Sequence, residues 1–163
     1  MRFQTPVLVF MNEQTQPRIC IVGGCGHVGL PLGLSFASQG FQVDLYDKDY
    51  DVLRKVSAGI MPFKDEGADQ LLPQLVRTSL TPTDDPGAVG RAEVVIVAVG
   101  TPVDNHLNPK VQDLFRVLEE LRSEMRSAQM LILRSTVYPG TTGLVRDWLR
   151  ESGKKIDLAF CPE

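Results

Sequence analysis

Three glycines, Gly24, Gly26 and Gly29, stand as G-x-G-x-x-G directly after the apolar run Ile19-Cys20-Ile21-Val22, and Asp47 follows 18 residues beyond Gly29. These types at this spacing suit the binding of a dinucleotide. Gly24 permits a tight strand-to-helix turn, Gly26 lacks the Cβ that would keep a pyrophosphate off the backbone, and Gly29 lets the next helix lie close on the sheet. The backbone N–H groups of the helix N-terminus then point at the phosphates, where the helix dipole favours negative charge. Asp47, ending the second strand, is placed to accept hydrogen bonds from both hydroxyls of a ribose. A 2′-phosphate there would meet like charge, so the pattern reads as NAD over NADP, with Lys48 beside it softening the preference. A flexible loop could carry the same glycines. The strand before, the helix after and the acid at the end of the second strand argue against it.

Elements that would position these residues alternate along the whole chain. The residue pattern predicts a strand over 18–22, a helix over 27–38, a strand over 42–46 and helices near 49–57 and 66–76. Pro31 falls in the first turn of the first helix, where its missing N–H does no harm, and Gly40 ends it. A short strand around Leu80 leads to a turn at Asp84-Asp85-Pro86-Gly87. Glu93–Val99 is a nearly continuous apolar run, as a central parallel strand covered on both faces requires. The amphipathic stretch 111–126 predicts a helix burying Val111, Leu114, Phe115, Leu118, Leu121 and Met125. Then come a strand over Met130–Leu133, a helix over 141–151 with Leu144, Val145, Trp148 and Leu149 inward, and a strand over Ile156–Phe160. Such alternation gives an α/β fold, a Rossmann-type doubly wound parallel sheet of about six strands. Residues 18–163 form this domain, and residues 1–17 read as an N-terminal tail or a loosely attached extra strand.

Composition narrows the partners. The chain has 163 residues, 43% hydrophobic and 23% charged, the balance of an ordinary globular domain. A net charge of −3 gives no sign of a nucleic-acid partner, and no apolar run approaches a membrane span. Pro6–Met11 is too short for a signal sequence. Three cysteines, with no C-x-x-C pair, suit a reducing cytoplasm. No metal site is expected, since His27 and His106 share no ligand spacing with a cysteine. His27 lies in the glycine turn, where its backbone N–H matters more than its ring.

In an open α/β sheet the ligand sits at the carboxyl ends of the strands. Three strand ends besides Asp47 carry informative residues: Gly100-Thr101-Pro102-Val103-Asp104, Arg134-Ser135-Thr136-Val137-Tyr138-Pro139-Gly140-Thr141-Thr142, and Cys161-Pro162-Glu163. Joined to G-C-G-H-V-G-L-P-L and Y-D-K-D, these motifs resemble the NAD-binding domain of the UDP-glucose/GDP-mannose dehydrogenases, from about Arg18 to Glu163. The resemblance implies oxidation of C6 of a nucleotide-linked sugar from alcohol to carboxylate with two NAD, for surface polysaccharide synthesis. The Phe-Cys-Pro-Glu ending is more similar to the branch acting on UDP-N-acetylmannosamine than to the UDP-glucose branch.

Residue by residue, the resemblance implies that Gly24, Gly26, His27, Val28 and Gly29 hold the pyrophosphate and that Asp47, beside Lys48, holds the adenosine ribose. Thr101 approaches the cofactor from the loop after the fourth strand. Ser135 and Thr136 contact the cofactor, Thr136 positioning a water or the substrate oxygen beside the nicotinamide. Glu163 matches a glutamate that helps activate water for hydrolysis of a thioester intermediate. Pro109-Lys110 departs from the family's acidic residue after T-P-x-D. The nucleophilic cysteine, the catalytic lysine and most of the UDP-sugar pocket belong to a later domain of the family, beyond a helix that forms a homodimer. Cys161 belongs to the C-P-E element and is not that nucleophile. The chain therefore resembles an excised domain, inactive alone. Two other readings share the fingerprint: a β-hydroxyacid or 6-phosphogluconate-type dehydrogenase, against which the S-T-V-Y-P-G-T-T loop argues, and an NAD-sensing module without chemistry.

Overall fold

A computed structural model describes residues 16–65, 67–100 and 111–162. Its elements run β1 (Ile19–Val22), α1 (Gly29–Ser38), β2 (Val43–Tyr46), α2 (Tyr50–Ser57), α3 (Ala68–Leu75), β3 (Leu80–Thr83), α4 (Gly87–Arg91), β4 (Val94–Val97), α5 (Val111–Glu120), β5 (Met130–Leu133), α6 (Thr141–Glu151) and β6 (Asp157–Phe160). All six strands are parallel, in the order β3-β2-β1-β4-β5-β6. The strand order reverses between β1 and β4, the switch point of a doubly wound sheet. Among the described residues no helix is long and apolar enough to cross a membrane.

The sheet separates two apolar layers. Ile19 and Ile21 of β1 face α1, α2 and α3 with Leu30, Leu34, Val56 and Leu72, whereas Cys20 and Val22 face α4, α5 and α6 with Leu114, Leu118, Val145 and Leu149. A strand covered on both faces must be apolar at every position, which is why β1 and most of β4 are continuous hydrophobic runs. Pro82 lies in β3, an edge strand, where its missing N–H breaks no ladder.

Several elements differ from the sequence reading. The short helix α4 occupies part of what reads as a turn; five residues are too few to show a helical period. Asp85 starts it by accepting from Gly87 N–H at 2.9 Å and holds its far end through Arg91 Nη1 at 2.9 Å. Helix α5 ends at Glu120 rather than 126. Beyond it the chain tightens into turns, with Arg122 N–H donating to Glu119 and Glu124 N–H to Leu121, while Lys154 Nζ donates to the carbonyls of Arg122 and Met125. Leu121 and Met125 are nevertheless buried. Leu144 does not point inward: it is 57% exposed. Thr141, Val145 and Leu149, spaced by four, form the buried stripe of α6, and Trp148 leans toward α5 to donate to Glu119 at 2.9 Å. Nearly all of the expected N-terminal tail, residues 1–15, lies outside the described residues.

Candidate functional site

The turn after β1 distributes its glycines differently from the pattern expected. Gly23, not Gly24, takes the left-handed conformation, with φ +77°, and donates to Tyr46 at 2.9 Å. Gly24 is required by space, because a Cβ there would lie 2.7 Å from Leu45 Cα. Gly29 packs against the turn itself, where a Cβ would come within 2.3 Å of the Gly23 carbonyl oxygen. The residue that brings α1 onto the sheet is Gly33, over the Leu45 and Ile21 side chains. Only Gly26 opens outward: a Cβ would meet nothing nearer than the Gly23 oxygen at 3.4 Å, and the residue is exposed. Among the described residues the N–H groups of His27, Val28 and Gly29 have no acceptor, whereas Leu30 N–H already bonds Gly26 at 3.0 Å. Three unpaired donors at a helix start, beside an uncovered glycine, fit a pyrophosphate.

Asp47 ends β2 and locks the turn. Its Oδ2 accepts from Cys25 N–H at 3.0 Å, and its Oδ1 accepts from Lys48 N–H at 2.8 Å and Asp49 N–H at 3.1 Å. A carboxylate offers about four lone-pair sites, so about one remains, on Oδ2, for a ribose hydroxyl, one fewer than the sequence predicts. Beside it lies a cleft of about 140 Å³ lined by Val22, Gly23, Tyr46, Asp47, Lys48, Val99 and Val117. Lys48 does not reach toward a ribose; its Nζ is paired with Glu120 of α5.

A second cleft, of about 160 Å³, opens on the other side of the turn between β4 and β5. Val28, Val99, Gly100, Arg134, Ser135 and Thr136 line it. The buried Ser135 donates its hydroxyl to the Val99 carbonyl at 2.6 Å, fixing the one residue that the two clefts share. Thr136 is exposed at the rim. Arg134, for which the sequence predicts no role, also lines it and donates through Nη1 to the Cys161 carbonyl at 3.1 Å, tying the end of β5 to the end of β6. Thr101 and Glu163 lie outside the described residues.

Several other titratable groups serve the fold. Burial pushes the thiols of Cys20 and Cys25 up to about 12, with Asp44 and Asp47 respectively adding to the effect, so neither is a nucleophile near neutrality. The ring of His27 stacks on Phe63 with centroids 4.2 Å apart, a contact that steadies the turn from the loop after α2. Arg18 grips the fully buried carboxylate of Asp44 through two bonds of 2.7 and 2.8 Å, a bidentate pair that the alternation of β2 conceals. That hydrogen bond raises the Arg18 pKa above its usual value.

Known proteins are similar to this chain in sequence and in fold. The sequence profile of the UDP-glucose/GDP-mannose dehydrogenase family, NAD binding domain, matches residues 17–163. A UDP-N-acetyl-D-mannosamine dehydrogenase of Methanococcus aeolicus is 30% identical over 151 residues, covering 90% of this chain and 34% of that protein. A UDP-glucose 6-dehydrogenase of Pseudomonas aeruginosa is 33% identical over 135 residues, covering 82% and 30%. The crystal structure of a ternary complex of GDP-mannose dehydrogenase from Pseudomonas aeruginosa gives a TM-score of 0.82 at 27% identity, covering 90% of this chain and 36% of that one. The chain spans about a third of the length of the curated relatives it matches.

Proposed function

Because this chain belongs to the UDP-glucose/GDP-mannose dehydrogenase family, as its NAD-binding domain, we propose that it serves a nucleotide-sugar 6-dehydrogenase converting the C6 alcohol of a UDP-sugar to a uronate. The observation carrying this reading is the pair of clefts flanking the glycine turn, joined at Val99 across the switch point between β1 and β4. NAD, when bound, supplies the hydride acceptor, and two are needed to take an alcohol to a carboxylate. The N–H groups of His27, Val28 and Gly29 receive the pyrophosphate, and Asp47 receives the adenosine ribose. Ser135 holds the Val99 carbonyl and so sets the wall between the two halves of the site. At the second cleft Thr136 orients a water or the sugar oxygen. By resemblance, Thr101 approaches the cofactor and Glu163 removes a proton from the hydrolytic water.

The F-C-P-E ending favours UDP-N-acetylmannosamine, with UDP-glucose the other candidate. We place the whole enzyme in the cytoplasm, as a homodimer. Calorimetric titration of the 163-residue chain tests the cofactor site: NAD is expected to bind more tightly than NADP, and equal affinities would sink the assignment of Asp47. NADH formation tests the substrate in the whole enzyme that carries this domain. Two NADH per UDP-N-acetylmannosamine are expected; turnover of UDP-glucose alone would move the enzyme to the other branch. In that enzyme Glu163→Gln should slow turnover ~10²–10⁴-fold, and unchanged turnover would remove Glu163 from the mechanism.

A further inference from the structure

Lys48 directly follows the ribose-binding candidate, so its ammonium is a cation well placed in the chain to meet a 2′-phosphate. The structure ties it elsewhere. Its Nζ pairs with Glu120 in the last turn of α5, and the bond bridges the two walls of the adenosine cleft. One wall is Tyr46, Asp47 and Lys48 at the end of β2; the other is Val117, one turn before Glu120 on the same helix. The C-terminal end of a helix favours a cation, so the pair also sits where α5 welcomes it.

We propose that Glu120 is a specificity-determining residue, which excludes NADP by holding Lys48 away from the 2′ position. The pair withdraws the Lys48 ammonium from beside Asp47. A bound NAD presents only hydroxyls there and is nearly indifferent to the pair. A 2′-phosphate carries roughly two negative charges, and without the pair Lys48 can turn to meet them. The inference rests on the adenosine ribose lying at Asp47.

NAD and NADP are titrated calorimetrically into the 163-residue chain, wild type, Glu120→Gln and Lys48→Ala/Glu120→Gln. Lys48 and Glu120 are 59% and 43% exposed, so solvent screening limits the effect. Glu120→Gln should tighten NADP binding about three- to tenfold and leave NAD affinity within about twofold. In ~1 M salt, where the Debye length is about 3 Å, most of that gain should vanish. The double variant should lose the gain even at low salt. An unchanged NADP affinity in Glu120→Gln overturns the proposal. An equal gain in the double variant does so too, because Glu120 would then act by its own charge and not through Lys48. Asp47→Ala keeps the underlying reading separate: undiminished NAD affinity in that variant would show that the ribose lies elsewhere, and the proposal would fall with it.

Discussion

Replacing Gly26 with valine should weaken NAD binding at least ~10²-fold and leave the domain folded. The first carbon added at Gly26 would meet only the Gly23 oxygen, at 3.4 Å, which is ordinary van der Waals contact, and the residue does not use the left-handed backbone. The folding cost should therefore stay within about 1 kcal/mol, a fall of roughly 2–4 °C in Tm for a chain of this size. The branched side chain would instead fill the space in front of the free N–H groups of His27 and Val28. A charge-assisted hydrogen bond contributes about 1.5–3 kcal/mol. Losing two weakens binding by at least about 3 kcal/mol, or roughly 10²-fold in Kd. Gly29→Ala is the contrasting variant. Its carbon would lie 2.3 Å from the Gly23 oxygen and 2.8 Å from Gly24 Cα, both backbone atoms that cannot swing aside. Overpacking of this kind costs about 1–3 kcal/mol or more, so Gly29→Ala should melt several degrees lower. Calorimetric titration with NAD and differential scanning calorimetry read the two quantities separately. A Gly26→Val chain that binds NAD within about threefold of wild type and melts normally would refute the reasoning, because the phosphates would then not pass Gly26.

Arg18→Met should destabilise the fold by about 3 kcal/mol in urea titrations, since it strands the buried carboxylate of Asp44; a loss under about 1 kcal/mol would refute this. The single tryptophan, Trp148, reports on Glu119, whose pKa is held low by the Trp148 hydrogen bond and by Arg122. Its contact with Glu119 should thus be complete above the ordinary glutamate range and be lost as pH falls through the lowered value; a change in Trp148 emission at or above the ordinary range would contradict it, and Glu119→Gln should remove the transition. Cys20 and Cys25 are buried and held near 12, whereas Cys161 is exposed. A thiol reagent at mildly alkaline pH should therefore label one cysteine quickly, and rapid labelling of more than one would overturn that assignment.

Local patterns made most of the architecture legible. The glycine spacing, the doubly covered strands at 19–22 and 94–97 and the stripe along 111–120 are each written in neighbouring residues, because backbone geometry and burial of one face impose short periods. The sequence puts Asp47 and the Ser135-Thr136 loop at one edge because a parallel sheet gathers its strand ends there, and in the structure they line the two clefts. Helix α4, the end of α5 and the outward Leu144 escaped that logic. The first is shorter than any readable period, the second gives way to turns whose carbonyls Lys154 binds from far along the chain, and the third depends on which way α6 is rolled against α5.

The sequence alone carries the order of the strands and longer helices and the chemical types at the strand ends. Which glycine bends and which only leaves room was decided by the tertiary structure, since the crowding at Gly24, Gly29 and Gly33 comes from Leu45 and from the turn folded on itself. The partners of charged groups were decided there too. Arg18 finds Asp44 across 26 residues and Lys48 finds Glu120 across 72, and no spacing rule joins them. Hydrophobic periodicity is fixed by the local backbone, but an ion pair is fixed by where two distant chain segments happen to be packed. The role of Lys48 therefore became readable only once α5 lay across the cleft from β2.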